Sequence, residues 1–361
     1  MAIQGVDLII YTKDRPMQLH LLLESLQQYV TGIGKTVITM QFSAPEYEQG
    51  YRLLQERLER DEAFAVLRQK TVFAFHKRDS LEESIEALSL LGDSEYIVPL
   101  SDDAVFYRNY DLVNAEASQY FFTHPNVLSC SIRLGKNINP TVPELHKKAL
   151  FERPQPGFAI ETDNMLVWYW PAFLNTFDWR NTAGMCIIFR KRDYVAWFRK
   201  FRNPVWMEGE IKEELERVVF RMPRFFWRVV LFFDKVQQKL LNMLFGVYRQ
   251  DILRQFFAKL LFRVPFMINR NIPTEMLAPA ESVVFIPDIN STLPEIVRRN
   301  KEHTMPFEQL NRQYLEGLKI SMKGMKGVRV EFSAPWDPSL KKYFQLEEYQ
   351  KDAGRQERLA F

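Results

Sequence analysis

Residues 6–26 read Val-Asp-Leu-Ile-Ile-Tyr-Thr-Lys-Asp-Arg-Pro-Met-Gln-Leu-His-Leu-Leu-Leu-Glu-Ser-Leu, and this stretch decides the fold. Its first six positions form a β-rich apolar run. Arg15-Pro16 then opens a segment that carries Leu19, Leu22, Leu23 and Leu26 at helical spacing. The unit repeats along the first third of the chain. A second strand is expected at 36–40 (Thr-Val-Ile-Thr-Met), closed by Ser43-Ala44-Pro45, with a charged helix from about residue 46 to 59 behind it. A third strand is expected at 72–75, a helix at 81–91 and a fourth strand at 96–100. Repeated β-α units of this length imply a mostly parallel sheet with helices on both faces. Ligands in such sheets sit beyond the carboxyl ends of the strands. Two polar clusters fall at those ends, Thr12-Lys13-Asp14-Arg15 and Ser101-Asp102-Asp103.

The chain has 361 residues, 47% of them hydrophobic, which is enough for one large α/β domain or two smaller ones. A formal charge of +3 is too small to indicate a nucleic-acid partner. Cys130 and Cys186 are the two cysteines of a chain too large to need disulfide staples, which fits a reducing compartment; an intramolecular pair stays open. The opening residues lack a charged n-region and a cleavable apolar stretch. No uncharged apolar run reaches about 18 residues, so neither a signal peptide nor a transmembrane helix is expected. A cytoplasmic protein is the expectation.

Two adjacent carboxylates closing an apolar strand, Asp102 and Asp103, repel each other and resist desolvation. A bound dication relieves both problems. Mg²⁺ and Mn²⁺ take carboxylate oxygens and share their shell with substrate phosphates. Solvated turn residues or a helix cap before Ala104 account for the same dipeptide, so the pair alone does not decide.

The stretch 6–26 resembles the opening of family 2 type glycosyltransferases, where a strand ends in Thr-x-[Asn/Asp]-Arg-Pro and a helix carries Leu-x-x-x-Leu-x-Ser-Leu. Residues 95–106, Glu-Tyr-Ile-Val-Pro-Leu-Ser-Asp-Asp-Ala-Val-Phe, are similar to the metal-binding strand end of that family. The resemblance implies a GT-A fold, Asp103 as ligand of Mn²⁺ or Mg²⁺, Asp102 beside the ribose, and Thr12, Asp14 and Arg15 around the nucleotide. Asn203-Pro-Val-Trp-Met-Glu208 is similar to an Asn-Pro-x-x-x-Glu element of some bacterial members, and residues 282–290 to a strand that follows it. Members of this type invert the anomeric centre by direct displacement, which requires a carboxylate base. Glu208 matches that base and Glu210 stands two positions on. The same acids, with Glu213 and Glu214, also suit the first turns of a helix, where they complement its dipole. Two features depart from the family pattern. The second strand ends in Gln41-Phe42-Ser43-Ala44 without the acid that often holds the base, and the acceptor strand reads Thr182-Ala183-Gly184 without the usual Asp.

No glycine-rich phosphate loop is present, so a metal and Lys or Arg must neutralise a diphosphate. Lys13, Arg15, Lys77 and Arg78 are placed for it by position, or else are solvated surface charges. The same lack of glycine between residues 11 and 17 argues against a nucleotidyltransferase. The middle of the chain reads as irregular and aromatic, with Trp168, Trp170, Phe173, Phe177 and Trp179 serving either as core or as a sugar platform. Strands are expected at 185–189 and 282–286.

Between residues 217 and 263 the chain carries ten Lys or Arg against Asp234 and Asp251. At helical spacing Arg224, Arg228, Lys235, Lys239 and Arg249 form a stripe, and Phe225, Phe226, Val229, Phe233, Val236, Leu240, Met243, Leu244 and Val247 fill the other side. Such a segment suits an anionic membrane surface. Its aromatics face away from the cations, which is wrong for stacking nucleic-acid bases beside phosphates. A helical hairpin packed on protein is the remaining alternative. The expected organisation is a nucleotide-sugar-binding core over 1–204, a basic amphipathic helical arm over 205–270, and a C-terminal part over 271–361 that completes the core and ends in a polar tail. The whole reads as a peripheral-membrane, metal-dependent, inverting glycosyltransferase. It moves a sugar from a nucleotide diphosphate to an envelope glycan or lipid-linked acceptor. A catalytically inactive GT-A-like binding or scaffold protein is the alternative.

Overall fold

The computed structural model describes residues 3–76, 81–137, 157–169, 184–200, 217–218, 221–245, 273–285, 307–321 and 345–349. In chain order the elements are β1 (Val6–Lys13), α1 (Pro16–Tyr29), β2 (Val30–Thr31), β3 (Ile33–Gln41), α2 (Pro45–Arg60), α3 (Ala65–Arg68), β4 (Thr71–Phe75), α4 (Leu81–Ser89), β5 (Tyr96–Ser101), β6 (Val105–Phe106), β7 (Tyr110–Asp111) and α5 (Glu116–Thr123). They continue with β8 (Val127–Ser131), β9 (Ile160–Glu161), β10 (Met165–Tyr169), β11 (Ile187–Arg190), α6 (Lys191–Lys200), α7 (Arg224–Phe245), β12 (Glu275–Pro279), β13 (Val284–Phe285), α8 (Phe307–Leu315), β14 (Leu318–Ser321) and β15 (Gln345–Glu348).

The central sheet has nine strands in the order β4-β3-β1-β5-β11-β8-β12-β10-β9. The first four run parallel, as the β-α repeat requires. Antiparallel pairing flanks β11 and β10 on both sides, so these two strands oppose the other seven. The expected mostly parallel sheet flanked by helices is therefore present. β1 is buried on both faces from Val6 to Ile10, which is why it reads as a continuous apolar run instead of an alternating one. Between β4 and β5 the chain turns back across the sheet. Right-handed crossovers then place α4, packed on α6, on the face opposite α1 and α2.

Helix α1 buries ten of its residues, including Gln18, His20 and Ser25. A helix enclosed on nearly all sides needs a layer outside it. That layer is α2, α8 and the antiparallel pair β14–β15. Its polar contacts are specific: His20 Nδ1 lies 2.9 Å from the Tyr314 hydroxyl, and Lys319 binds Glu24 at 2.6 Å. The Arg57 guanidinium stacks 4.4 Å from the Tyr314 ring centre and 4.1 Å from that of Tyr349.

At the amino end of β1, buried Asp7 accepts the Lys35 backbone N–H at 2.9 Å and pairs with Lys191 at 2.8 Å. A methyl group at Gly34 would stand 2.5 Å from Asp7 Oδ1, so glycine is what lets the carboxylate lie against β3. Cys130 and Cys186 are both buried, and no disulfide joins them. Trp168 is fully buried in β10, in a stretch the sequence reads as irregular, and so belongs to the core. The other four aromatics of that cluster lie outside the described residues, as do residues 246–270 of the arm. No helix among the described residues is long and apolar enough to cross a membrane.

Candidate functional site

The order of connections reverses at β1. β3 and then β4 are added on one side of it and β5 on the other, so the carboxyl ends of β1 and β5 form the switch point of the sheet, where such folds hold ligands. Both sequence clusters arrive there. The Asp102 N–H donates to the Tyr11 carbonyl at 3.2 Å, which extends the β1–β5 ladder by one rung, and the Ala104 N–H closes a turn onto Ser101 at 3.0 Å. Within that turn Asp102 is 0% exposed, which excludes a solvated turn for this residue.

Arg15 answers the acids. Its guanidinium meets Asp102 Oδ1 at 2.5 Å and Oδ2 at 3.0 Å through two nitrogens, and its third nitrogen reaches Asp103 Oδ2 at 3.2 Å. By sequence Arg15 is a candidate for donor phosphates or else a solvated charge; in the structure it binds the carboxylates and is largely buried. Thr12 donates its hydroxyl to Asp102 Oδ2 at 2.7 Å. Tyr51 in α2 stands 2.7 Å from the Thr12 hydroxyl and accepts the Arg15 N–H at 3.1 Å. With Thr12 donating to the carboxylate, the Tyr51 hydroxyl donates to Thr12. Tyr51 is part of this constellation that the sequence did not disclose, since it sits mid-helix 39 positions from Thr12.

With both carboxyls ionised, the pair and the one guanidinium carry one net negative charge in a place largely screened from water. Burial pushes the Asp102 carboxyl up to about 7; Arg15 opposes the rise and the neighbouring Asp103 charge adds to it. Asp103 Oδ1 and Ser101 Oγ are buried without a hydrogen-bond partner. Hard oxygens, a residual negative charge and an orphaned carboxylate oxygen fit a divalent cation of the Mg²⁺ or Mn²⁺ type. Among the described residues no third Asp, Glu, His or Cys joins the pair, so the remaining positions of a metal shell would fall to water and ligand oxygens.

Asp14 closes the other side of the site. It adopts a left-handed backbone with φ of 57° and is buried, and its Oδ1 accepts the Ser43 N–H at 2.6 Å. A carboxylate thus stands at the carboxyl end of β3, although the residues that follow β3 contain none. Beyond it, Phe75 ends β4 with half of its surface exposed and its ring 6.2 Å from that of Phe42. Sequence reading took Phe75 simply as a strand residue. An apolar strand that ends at the ligand side of a parallel sheet was the available signal. Arg78, Glu208 and Glu210, with Lys77, lie outside the described residues.

No protein family's sequence profile matches the chain, and no curated protein matches it. Among solved structures, TarS 1-349 of S. aureus in complex with UDP-GlcNAc overlaps at 13% identity and a TM-score of 0.33, covering 54% of this chain and 47% of that one. The galactosyltransferase LgtC, in complex with donor and acceptor sugar analogs, overlaps at 8% identity and a TM-score of 0.28, covering 53% and 60%. The apo-form glycosyltransferase GlyE of Streptococcus pneumoniae TIGR4 overlaps at 11% identity and a TM-score of 0.25, covering 86% and 63%. The chain spans about half the length of the TarS structure.

Proposed function

We propose that this protein is a metal-dependent inverting glycosyltransferase of the GT-A type, which moves a sugar from a nucleotide diphosphate to an envelope glycan or lipid-linked acceptor at the cytosolic face of a membrane. One observation carries the reading: the Asp102–Asp103 pair at the switch point, with Asp102 buried and Asp103 Oδ1 left without a hydrogen-bond partner. The resemblance of residues 6–26 and 95–106 to family 2 type enzymes supplies the chemistry that such a pair serves.

In this reading Asp103, with Asp102 next to it in the chain, would hold Mn²⁺ or Mg²⁺. The ion would supply Lewis-acid neutralisation of the leaving diphosphate. Arg15 and the N-terminus of α1 add positive potential on the same side. Thr12 and Tyr51 fix the orientation of Asp102 through their hydrogen-bond chain. Asp14 offers a carboxylate to the nucleoside end, in place of the acid absent from the residues that follow β3, and Phe75 offers a ring face. At the reacting centre the acceptor hydroxyl oxygen bonds to the anomeric carbon from the side opposite the phosphate. The carbon–oxygen bond to the diphosphate breaks with inversion, and the hydroxyl proton passes to Glu208 or Glu210.

A second reading has one observation in its favour. Arg15 already engages three of the four oxygens of the acid pair, so the cluster also serves as a structural tie between β1, α1 and β5 in a GT-A-like binding or scaffold protein. The test is release of nucleoside diphosphate from a panel of nucleotide sugars, with Mn²⁺ and a membrane-derived glycan fraction. Turnover by the parent is expected, with Glu208→Gln or Glu210→Gln keeping donor binding and losing transfer by about 100-fold or more. Donor binding without turnover across the panel would favour the scaffold reading.

A further inference from the structure

Helix α7 has 22 residues and is about 33 Å long. Trp227 and Val230 face protein and are buried. Phe225, Phe226, Phe232, Phe233, Leu240 and Met243 lie in water, and the four phenylalanines are 56–72% exposed. At 100° per residue these six fall on a continuous arc of about 120°, separate from the side that carries Trp227 and Val230. Exposed Arg228, Lys235 and Lys239 fall on the adjoining arc, along one edge of the apolar strip. The helix holds four cations and one acid.

We infer that this face of α7 docks the protein on an anionic lipid bilayer. A contiguous apolar face of this width on a soluble protein marks an interaction surface. Its occupant must meet phenylalanines on the strip and cations on the edge. An anionic bilayer supplies both, with acyl chains for the rings and phosphate or carboxylate headgroups for the Lys and Arg termini, whose aliphatic stems reach across the boundary. A second copy docked through the same face sets these cations against their own kind, since the one acid of the helix, Asp234, falls on the other side of it from the strip. The charge pattern therefore favours lipid over self-association. The inference does not rest on the sugar-transfer reading: vesicle binding is measured without donor or turnover.

The full chain is sedimented with neutral phosphatidylcholine vesicles, and with vesicles that also contain phosphatidylserine, at low and high salt. The parent is expected to pellet with the anionic vesicles and to be released by salt. The R228Q/K235Q/K239Q variant is expected to bind about fivefold more weakly for each cation removed. The F225S/F232S/F233S variant is expected to stay in the supernatant even at low salt. Both variants keep the circular dichroism and thermal midpoint of the parent, because all six positions are exposed. A parent that ignores anionic vesicles at low salt overturns the proposal. So does an apolar variant that aggregates without lipid, which makes the face an internal contact. Lipid-free dimerisation of the parent that the apolar variant abolishes, with no vesicle binding, assigns the face to a second copy instead.

Discussion

Arg15 shows what a sequence pattern leaves open at the scale of one residue. Its place after a strand fits phosphate binding, yet its side chain, 13% exposed, lies across two carboxylates. Which anion an arginine meets depends on a strand 87 positions away. Removing it takes away the cation that holds the Asp102 carboxyl down against burial, so the carboxyl must either stay ionised without a counter-charge or take up a proton. Arg15→Ala should therefore cost about 3 kcal/mol in denaturant unfolding, and Asp102→Asn in the same background should return most of that loss. His20 gives the pH prediction. Burial holds its imidazole below the ordinary value, with Glu24 opposing and Arg57 and Lys319 adding to the fall; the Tyr314 and Tyr349 rings also pack on it. The unfolded chain then takes the proton first, near pH 6.5. The stability His20 contributes is full above that pH and is lost as pH falls below it. His20→Asn should flatten this acid limb, as read from unfolding free energies between about pH 7 and 5; an unchanged slope would assign the limb to other groups.

At the scale of elements, the sequence was readable where short β-rich runs alternate with amphipathic helices along the first hundred residues. β1, β3, β4, β5 and helices α1, α2 and α4 all lie close to their expected bounds. β8 was not readable, because Ser129 and Ser131 interrupt the apolar pattern of a strand that is nonetheless wholly buried. β12 was missed for a different reason: Glu275 and Pro279 bound a short run whose partners, β8 and β10, lie more than a hundred positions earlier. Nothing local announces such a pairing. The third layer on α1 was equally hidden, since its contacts join Arg57 to Tyr314 and Tyr349. Each stacked cation is worth about 1–2 kcal/mol when desolvated. Arg57→Ala should therefore raise hydrogen exchange in α8, β14 and β15 well before it changes exchange in β1 or β3. Uniform loss of protection across both regions would mean that the layer is not a separate unit.

On the scale of the whole molecule, the parallel half of the sheet brings the clusters after β1 and β5 together, and this convergence was legible from the order of strands and helices. Asp102 and Asp103 fell where they were expected. Tyr51, Phe75 and the contact of Asp14 with Ser43 were not foreseen, because each depends on how a helix or edge strand lies over the switch point. Sugar transfer at this switch point requires that the acid pair bind a nucleotide diphosphate through a divalent cation. Equilibrium binding of uridine, guanosine, cytidine and deoxythymidine diphosphates, with Mn²⁺ and with chelator, tests it in the parent and in Asp103→Ala. The account predicts that at least one diphosphate binds the parent in Mn²⁺ alone, and that the variant, with an unchanged thermal midpoint, has lost that binding by at least about tenfold. Equal affinity in Mn²⁺ and chelator, or metal-dependent binding that survives in Asp103→Ala, would contradict it.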